Sequence, residues 1–232
     1  MRWIIPALIV MGAALSLSGS AIAKGPGMSG GIAFKFGPDL ATSDWRYVSF
    51  PRRPGAEFKA HGEDTVVVQT KAGVGVLWHP VPLRGSGASE ARWRWRVMEG
   101  VGPTDLTKKG GDDRVLAVYF AFSDEEEITQ QRDLVDLLRQ ERGDLLMYVW
   151  GGAASPGTVL RLPYFGGRGR IVVKRGADAP ERVWFNETAN MRRDFRRAFG
   201  RTPGKLIAVA VSSDSDDTGD LNLAAVADLC VK

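Results

Sequence analysis

The chain has little cysteine, little histidine and few long apolar runs. Cys230 is its single cysteine, so no internal disulfide can form. His61 and His79 are its two histidines, which leaves few imidazoles for acid–base chemistry or metal binding. Beyond the N-terminal segment, no apolar run approaches the roughly 20 residues that cross a bilayer. We therefore expect no transmembrane segment after signal cleavage, and a fold stabilised by packing instead of disulfides.

Signatures of common enzymes are also scarce. The sequence contains neither a phosphate-binding loop of the G-x-x-x-x-G-K-[S/T] kind nor an H-E-x-x-H zinc motif. Glycoside hydrolysis needs two carboxylates about 5–10 Å apart. The candidates for catalysis are Asp112 and Asp113, either of which would act with an aspartate of residues 212–220. The sequence thus favours a binding protein over an enzyme.

The charge does not indicate a nucleic-acid partner. The formal net charge is +4, from 31 basic and 27 acidic residues, and the two signs are interspersed. The basic and aromatic segments at residues 92–97 and 192–201 resemble nucleic-acid-binding sequences in isolation. In a strand, however, Trp93 and Trp95 face one side and the arginines between them face the other. We expect the tryptophans to lie in a core and expect no nucleic acid.

The N-terminus has the order of a secretory signal peptide. Arg2 precedes an apolar stretch at residues 3–17, and small residues follow, ending in A-I-A at residues 21–23. We predict cleavage after residue 23, a Gly-rich leader at residues 24–31 and a single domain at residues 32–232. The mature protein is then periplasmic or secreted. An uncleaved N-terminal anchor is the alternative.

The rest of the sequence predicts mainly β structure. Short runs of β-branched and aromatic residues alternate with Gly- and Pro-containing turns, which is typical of an antiparallel β-sandwich or jelly roll. Two segments have helical signals instead. Residues 124–142 follow the start of a Ser-x-x-Glu capping box, and residues 186–200 carry an apolar stripe of Met191, Phe195 and Phe199. We therefore predict a β-sandwich with two flanking α-helices.

The sequence S-S-D-S-D-D-T-G-D at residues 212–220 concentrates carboxylates between two predicted strands. Asp214 and Asp216 occupy positions one and three of a helix–loop–helix calcium motif. Ala225 stands at position twelve, where that motif requires a bidentate Glu, so the motif is excluded. Calcium could still bind Asp214, Asp216 and Asp217 with carbonyls from elsewhere. The alternative is a solvated turn whose aspartates accept hydrogen bonds from backbone amides.

Several longer sequence segments together resemble a bacterial exported family known as domain of unknown function 3047. The resemblance runs from about Trp45 to the C-terminus, and it implies a β-sandwich of jelly-roll or galactose-binding type with no established activity and no catalytic residues. The family pattern has Asn where Asp217 stands here and a polar residue where Gly151 and Gly152 stand. The matching phrases are W-R-W-R-V (93–97), G-D-D-R-V-L-A-V-Y-F-A-F (111–122), L-L-M-Y-V-W-G-G (145–152), I-V-V-K-R-G (171–176), the segment 192–220 and A-A-V-A-D-L (224–229).

These patterns predict an exported β-sandwich that binds a glycan or another cell-envelope ligand, with calcium as the candidate cofactor. The expected ligand contacts lie at or near predicted strand ends and are Trp78, Asp113, Arg114 and Trp150. One alternative is a carbohydrate-active or other envelope hydrolase that uses paired aspartates. Another is a non-catalytic partner of an envelope assembly, which would dock through the predicted helix at residues 124–142.

Overall fold

The computed structural model describes residues 29–124 and 143–232, which form two β-sheets and one α-helix. The short runs of β-branched and aromatic residues form strands, as the sequence predicted. Two strands were not predicted, β1 and β9, because two or three residues are too short to show a period. The strands are β1 (Ile32–Ala33), β2 (Arg46–Val48), β3 (Glu57–Ala60), β4 (Thr65–Lys71), β5 (Val74–Pro80), β6 (Glu90–Glu99), β7 (Arg114–Ser123), β8 (Asp144–Trp150), β9 (Val159–Arg161), β10 (Gly169–Arg175), β11 (Phe185–Asn190), β12 (Lys205–Asp214) and β13 (Leu221–Val231).

The two sheets make a jelly-roll-like sandwich. One sheet has the order β11-β6-β13-β4-β3, with β1 beside β13, and the other has the order β2-β5-β12-β7-β8-β10-β9. Neighbours such as β7 and β12 are far apart in the sequence, so the chain crosses repeatedly between the sheets. The predicted antiparallel arrangement holds for all but one pair of these strands. The exception is β8 with β10, which is parallel.

The core between the sheets is rich in aromatic residues. Trp93 and Trp95 are 1% and 0% exposed, and their rings meet edge to face at 5.4 Å. Trp95 also packs against Trp150, at 5.8 Å between centroids. On the opposite face of β6, Arg94 and Arg96 both lie against the ring of Trp184. The prediction that the two tryptophans of residues 92–97 belong to a core is confirmed.

The seven-stranded sheet is buried on both of its faces along β7 and β8. Every residue of these two strands is buried, which explains why both read as continuous apolar runs instead of alternating ones. One face packs against the other sheet. The second face carries a separate apolar cluster that includes Ala121, Met147 and Ala210. The candidate functional site lies on this second face.

The predicted helix at residues 186–200 is partly confirmed: residues 185–190 form β11, and helix α1 spans Met191–Phe199. The Asn190 side chain accepts a hydrogen bond from the Arg193 amide at 2.8 Å, and Gly200 ends the helix at a φ of +72°. Apart from Asp124, the other predicted helix, 124–142, lies outside the described residues, as does the predicted signal peptide. Within the described part of the chain, no helix is long and apolar enough to cross a membrane.

Candidate functional site

The two acidic segments of the sequence meet at one end of the seven-stranded sheet. β7 and β12 are antiparallel neighbours, and the Cα atoms of Arg114 and Asp214 are partners in their register. The segment that precedes β7 therefore lies beside the turn that follows β12. The sequence predicted each of these segments but could not place them together.

The Asp113 side chain is hydrogen-bonded to the turn that follows β12. Its carboxylate accepts hydrogen bonds from the backbone amides of Asp217, at 3.2 Å, and Thr218, at 2.7 Å. The side chain of Thr104 donates to the Asp113 carbonyl at 2.6 Å. Asp113 is 1% exposed. The aspartate expected to contact a ligand is thus engaged in capping backbone amides.

Arg114 organises a buried polar cluster. Its Nη1 donates to Asp214 Oδ2 at 3.1 Å and lies 3.4 Å from Asp112 Oδ2. Its Nη2 donates to the Tyr119 hydroxyl at 3.0 Å, and that hydroxyl shares a 2.6 Å hydrogen bond with Ser212. We call Asp112, Arg114, Tyr119, Ser212 and Asp214 the Arg114 cluster.

Burial controls the protonation of this cluster. Burial, together with the negative charges of Asp216, Asp113 and Asp112, raises the pKa of Asp214 to about 7, although Arg114 opposes this shift. Desolvation also raises the pKa of Asp112. Burial acts to lower the pKa of Arg114, but Tyr119, Asp214 and Asp112 outweigh it and raise that pKa, so the guanidinium stays charged.

Two atoms of the cluster are buried without a hydrogen-bond partner among the described residues. They are Nε of Arg114 and Oδ1 of Asp214. One is a donor and the other accepts when the carboxyl is ionised. A buried polar group without a partner destabilises the protein by about 1–3 kcal/mol. The cluster therefore retains one unused donor and one unused acceptor.

A cavity of about 700 Å³ extends from the Arg114 cluster along the second face of the seven-stranded sheet. Its floor consists of strand residues such as Met147 and Ala210, and its walls come from two turns. Phe50 and Arg53 belong to the first turn, and Tyr164 belongs to the second. These wall residues were not among those predicted from the sequence. The available signal was aromatic side chains within the Pro- and Gly-rich segments F-P-R-R-P-G and P-Y-F-G-G-R-G.

The structure groups a different set of aspartates from the one predicted to bind calcium. Oxygens of Asp113, Asp216 and Asp217 lie within 4.8 Å of one another, whereas Asp214 points to Arg114. Asp113 already accepts backbone amides, and Asp216 pairs with Arg53 at 3.1 Å. Calcium takes six to eight oxygens, so these three carboxylates alone would not complete its shell.

The two tryptophans predicted to contact a ligand lie away from the cavity. Trp78 is on the second face, but it is 3% exposed and covered by the Arg46 guanidinium at 4.9 Å. Trp150 is 1% exposed and belongs to the core between the sheets; that it contacts a ligand stays a prediction. After it, Gly152 adopts a φ of +78°, and a Cβ there would meet Leu106 at 2.6 Å. A residue with a side chain would therefore be strained at position 152 in this protein.

The fold and the site define a two-sheet β-sandwich with a charged cavity on the second face of one sheet. Residues 43–230 match the family described as "Protein of unknown function (DUF3047)", and the chain belongs to that family. This confirms the resemblance found in the sequence. No curated protein matches the chain.

Solved structures with a similar arrangement include an endoglucanase, Cel12A, from Rhodothermus marinus, at 14% identity and a TM-score of 0.45, covering 82% of this chain and 91% of that one. The xyloglucanase domain of NopAA from Sinorhizobium fredii is 8% identical, with a TM-score of 0.45 and coverages of 81% and 92%. A family 30 carbohydrate-binding module of a cellulosomal cellulase of Clostridium thermocellum is 9% identical, with a TM-score of 0.37 and coverages of 87% and 97%. No functional residue is transferred from them.

Proposed function

We propose that the protein is an exported binding protein whose cavity holds a hydroxyl-bearing ligand of the cell envelope, such as a glycan. The observation that carries this proposal is the unused donor and acceptor of the Arg114 cluster, at one end of a cavity of about 700 Å³. Ligand pockets typically enclose about 300–1,000 Å³ and combine apolar walls with a few polar groups.

A hydroxyl group is the chemical match for this pair of atoms. A hydroxyl can donate to Asp214 Oδ1, and a hydroxyl oxygen can accept from Arg114 Nε. Both atoms are buried, so binding requires a small rearrangement of the two side chains. The wall residues Phe50 and Tyr164 are 39% and 56% exposed. Their rings can cover the apolar faces of sugar rings while the hydroxyls reach the charged end.

Binding to purified envelope polysaccharides, measured by pull-down and calorimetry, tests the proposal. We expect Tyr164→Ala and Asp214→Asn each to weaken binding at least tenfold with the fold retained. Tyr47→Ala is the matched control, because Tyr47 is similarly exposed but does not line the cavity. Equal binding by all four proteins would contradict the proposal.

Hydrolysis of such a polymer is a second candidate function. Asp112 and Asp214 both lie within 3.4 Å of Arg114 Nη1, and burial raises the pKa of each carboxyl. Carboxyls with raised pKa values in a cavity are candidates for general acids. If this function is correct, the purified protein releases soluble product from the polymer, and Asp112→Asn abolishes release without abolishing binding. A pair that used Asp113 in place of Asp112 is tested by Asp113→Asn. Because Asp113 does not line the cavity, this substitution should leave product release unchanged.

Export and calcium binding are further parts of the proposal that come from the sequence. Intact-mass measurement of the protein recovered outside the cytoplasm should show a chain that starts at residue 24. Millimolar calcium should raise the melting temperature over that in chelator, because a ligand that binds only the native state stabilises it. Asp217→Asn should remove that increase. An unchanged melting temperature would exclude the calcium site.

A further inference from the structure

We propose that the apolar part of the cavity holds a hydrocarbon chain, so that the ligand is an amphiphile with a hydroxyl-bearing head and a linear tail. This inference rests on the proposed function, because it assigns the tail of the ligand whose head lies at the Arg114 cluster. It adds a lipid component that neither the family nor the sequence patterns indicate.

Strand register gives the direction and length of the cavity. Arg114 and Asp214 are partners at its charged end, and Ala121 and Ala208 are partners at its far end. At about 3.4 Å per residue, β12 covers about 20 Å between Asp214 and Ala208. One leaflet of a bilayer has a hydrocarbon depth of about 15 Å, half of the roughly 30 Å core. The cavity is therefore long enough for one extended chain and part of a head group.

Among the described residues, the lining beyond Tyr119 has no polar side chain until the far rim. The residues there are Ala121, Leu145, Met147, Leu162 and Phe165, together with alanines of β12. The backbone groups of the floor are used in the ladders of β7 with β8 and with β12. A sugar hydroxyl in this part would lose its hydrogen bonds to water without replacement. A hydrocarbon chain would instead remove apolar surface from water.

The distribution of charge supports an amphiphile over a wholly apolar ligand. In the part of the chain that the structure describes, three carboxyls and three arginines line the cavity, and all but one of the arginines lie at the Arg114 end. The third arginine, Arg168, lies at the far rim and donates to the Gly143 carbonyl at 2.8 Å. Such polarity along one cavity matches a molecule with one polar end and one apolar end. A space of about 700 Å³ is within the size range of ligand pockets.

Calorimetry with alkyl maltosides of increasing chain length, below their micelle concentrations, tests this inference. We expect affinity to increase about fourfold for each added methylene until the cavity is filled, and then to stay constant. Ala121→Leu, which fills the far end, should shorten the chain length at which affinity stops increasing. Ala33→Leu is the matched control, because Ala33 is exposed on the other sheet. If Ala121→Leu fails to fold, Ala208→Val tests the same end from β12.

The outcomes separate this inference from the proposed function. Binding of maltose and of every maltoside with equal affinity would overturn the tail and leave the head. Equal binding of alkyl sulfobetaines and alkyl maltosides of one chain length, with no binding of maltose, would support the tail and refute recognition of hydroxyls. An increase with chain length that neither Ala121→Leu nor Ala208→Val changes would show that the chains bind elsewhere, and would overturn the inference.

Discussion

Replacing Asp214 by Asn should change how the stability of the protein depends on pH. In the unfolded chain the carboxyl has a pKa near 3.8, and in the folded protein burial raises this pKa to about 7. The folded state therefore favours the protonated form. Its contribution to stability is fully present below about pH 4 and is lost as the pH increases towards 7.

The expected magnitude follows from the size of the pKa difference. About three units at 1.36 kcal/mol each give about 4 kcal/mol between pH 4 and pH 8. A domain typically has 5–15 kcal/mol of stability in total, so the effect is measurable. Asn keeps the shape of Asp and an oxygen that can accept from Arg114, but it does not ionise. The free energy of unfolding of Asp214→Asn minus that of the native sequence should therefore increase by about 4 kcal/mol from pH 4 to pH 8.

Urea unfolding at several pH values between 4 and 8 measures this difference. The shared titration of all other groups largely cancels between the two proteins. Asp220→Asn is the matched control, because Asp220 is in the same turn and its side chain is exposed. A constant difference between Asp214→Asn and the native sequence would refute the reasoning. A difference of opposite sign would show that the ion pair with Arg114 outweighs desolvation.

Other substitutions test the contacts around the site and the core. Asp113→Asn should lower stability by about 1 kcal/mol and speed hydrogen exchange at the amides of residues 217 and 218, because it weakens a capping contact. Tyr119→Phe should cost about 1–3 kcal/mol in urea unfolding, since the partners of its hydroxyl are buried; no loss would mean that they find new partners. Phe195→Ala should cost about 3–5 kcal/mol, because Phe195 is 0% exposed. Gly152→Ala should lower the melting temperature, since Leu106 occupies the space of a Cβ; an unchanged value would contradict that packing argument.

The strands could be predicted from the sequence because their signal is local. Side-chain alternation and turn residues mark each strand without reference to its neighbours. The parallel pairing of β8 with β10 could not be predicted in this way, because pairing depends on how distant segments meet. The helix at Met191–Phe199 was predictable for the same local reason as the strands, from its apolar stripe and Gly200.

The site was predicted only in part, because its geometry depends on register and on which face a residue occupies. Asp112, Asp113 and the aspartates after β12 were identified, but their roles were not. A one-residue difference in register decides that Asp214 points to Arg114 and that Asp113 meets the turn. The face that Trp150 occupies could not be read from the sequence, since a strand that is buried on both sides shows no alternation to distinguish them.

At residues 208–211, side-chain size differs between the two faces of β12, and the alanines line the cavity. Along β12, Val209 and Val211 belong to the core between the sheets, whereas Ala208 and Ala210 belong to the second face. Large side chains fill the space between the two sheets. On the second face, the small alanine side chains leave space between the sheet and the turns that form the walls of the cavity. Stability alone would favour larger apolar residues at these alanines, because they would bury more surface. Small residues beneath open space are what the proposed ligand requires, and a cost in stability at such positions is the relation expected if the proposal is correct.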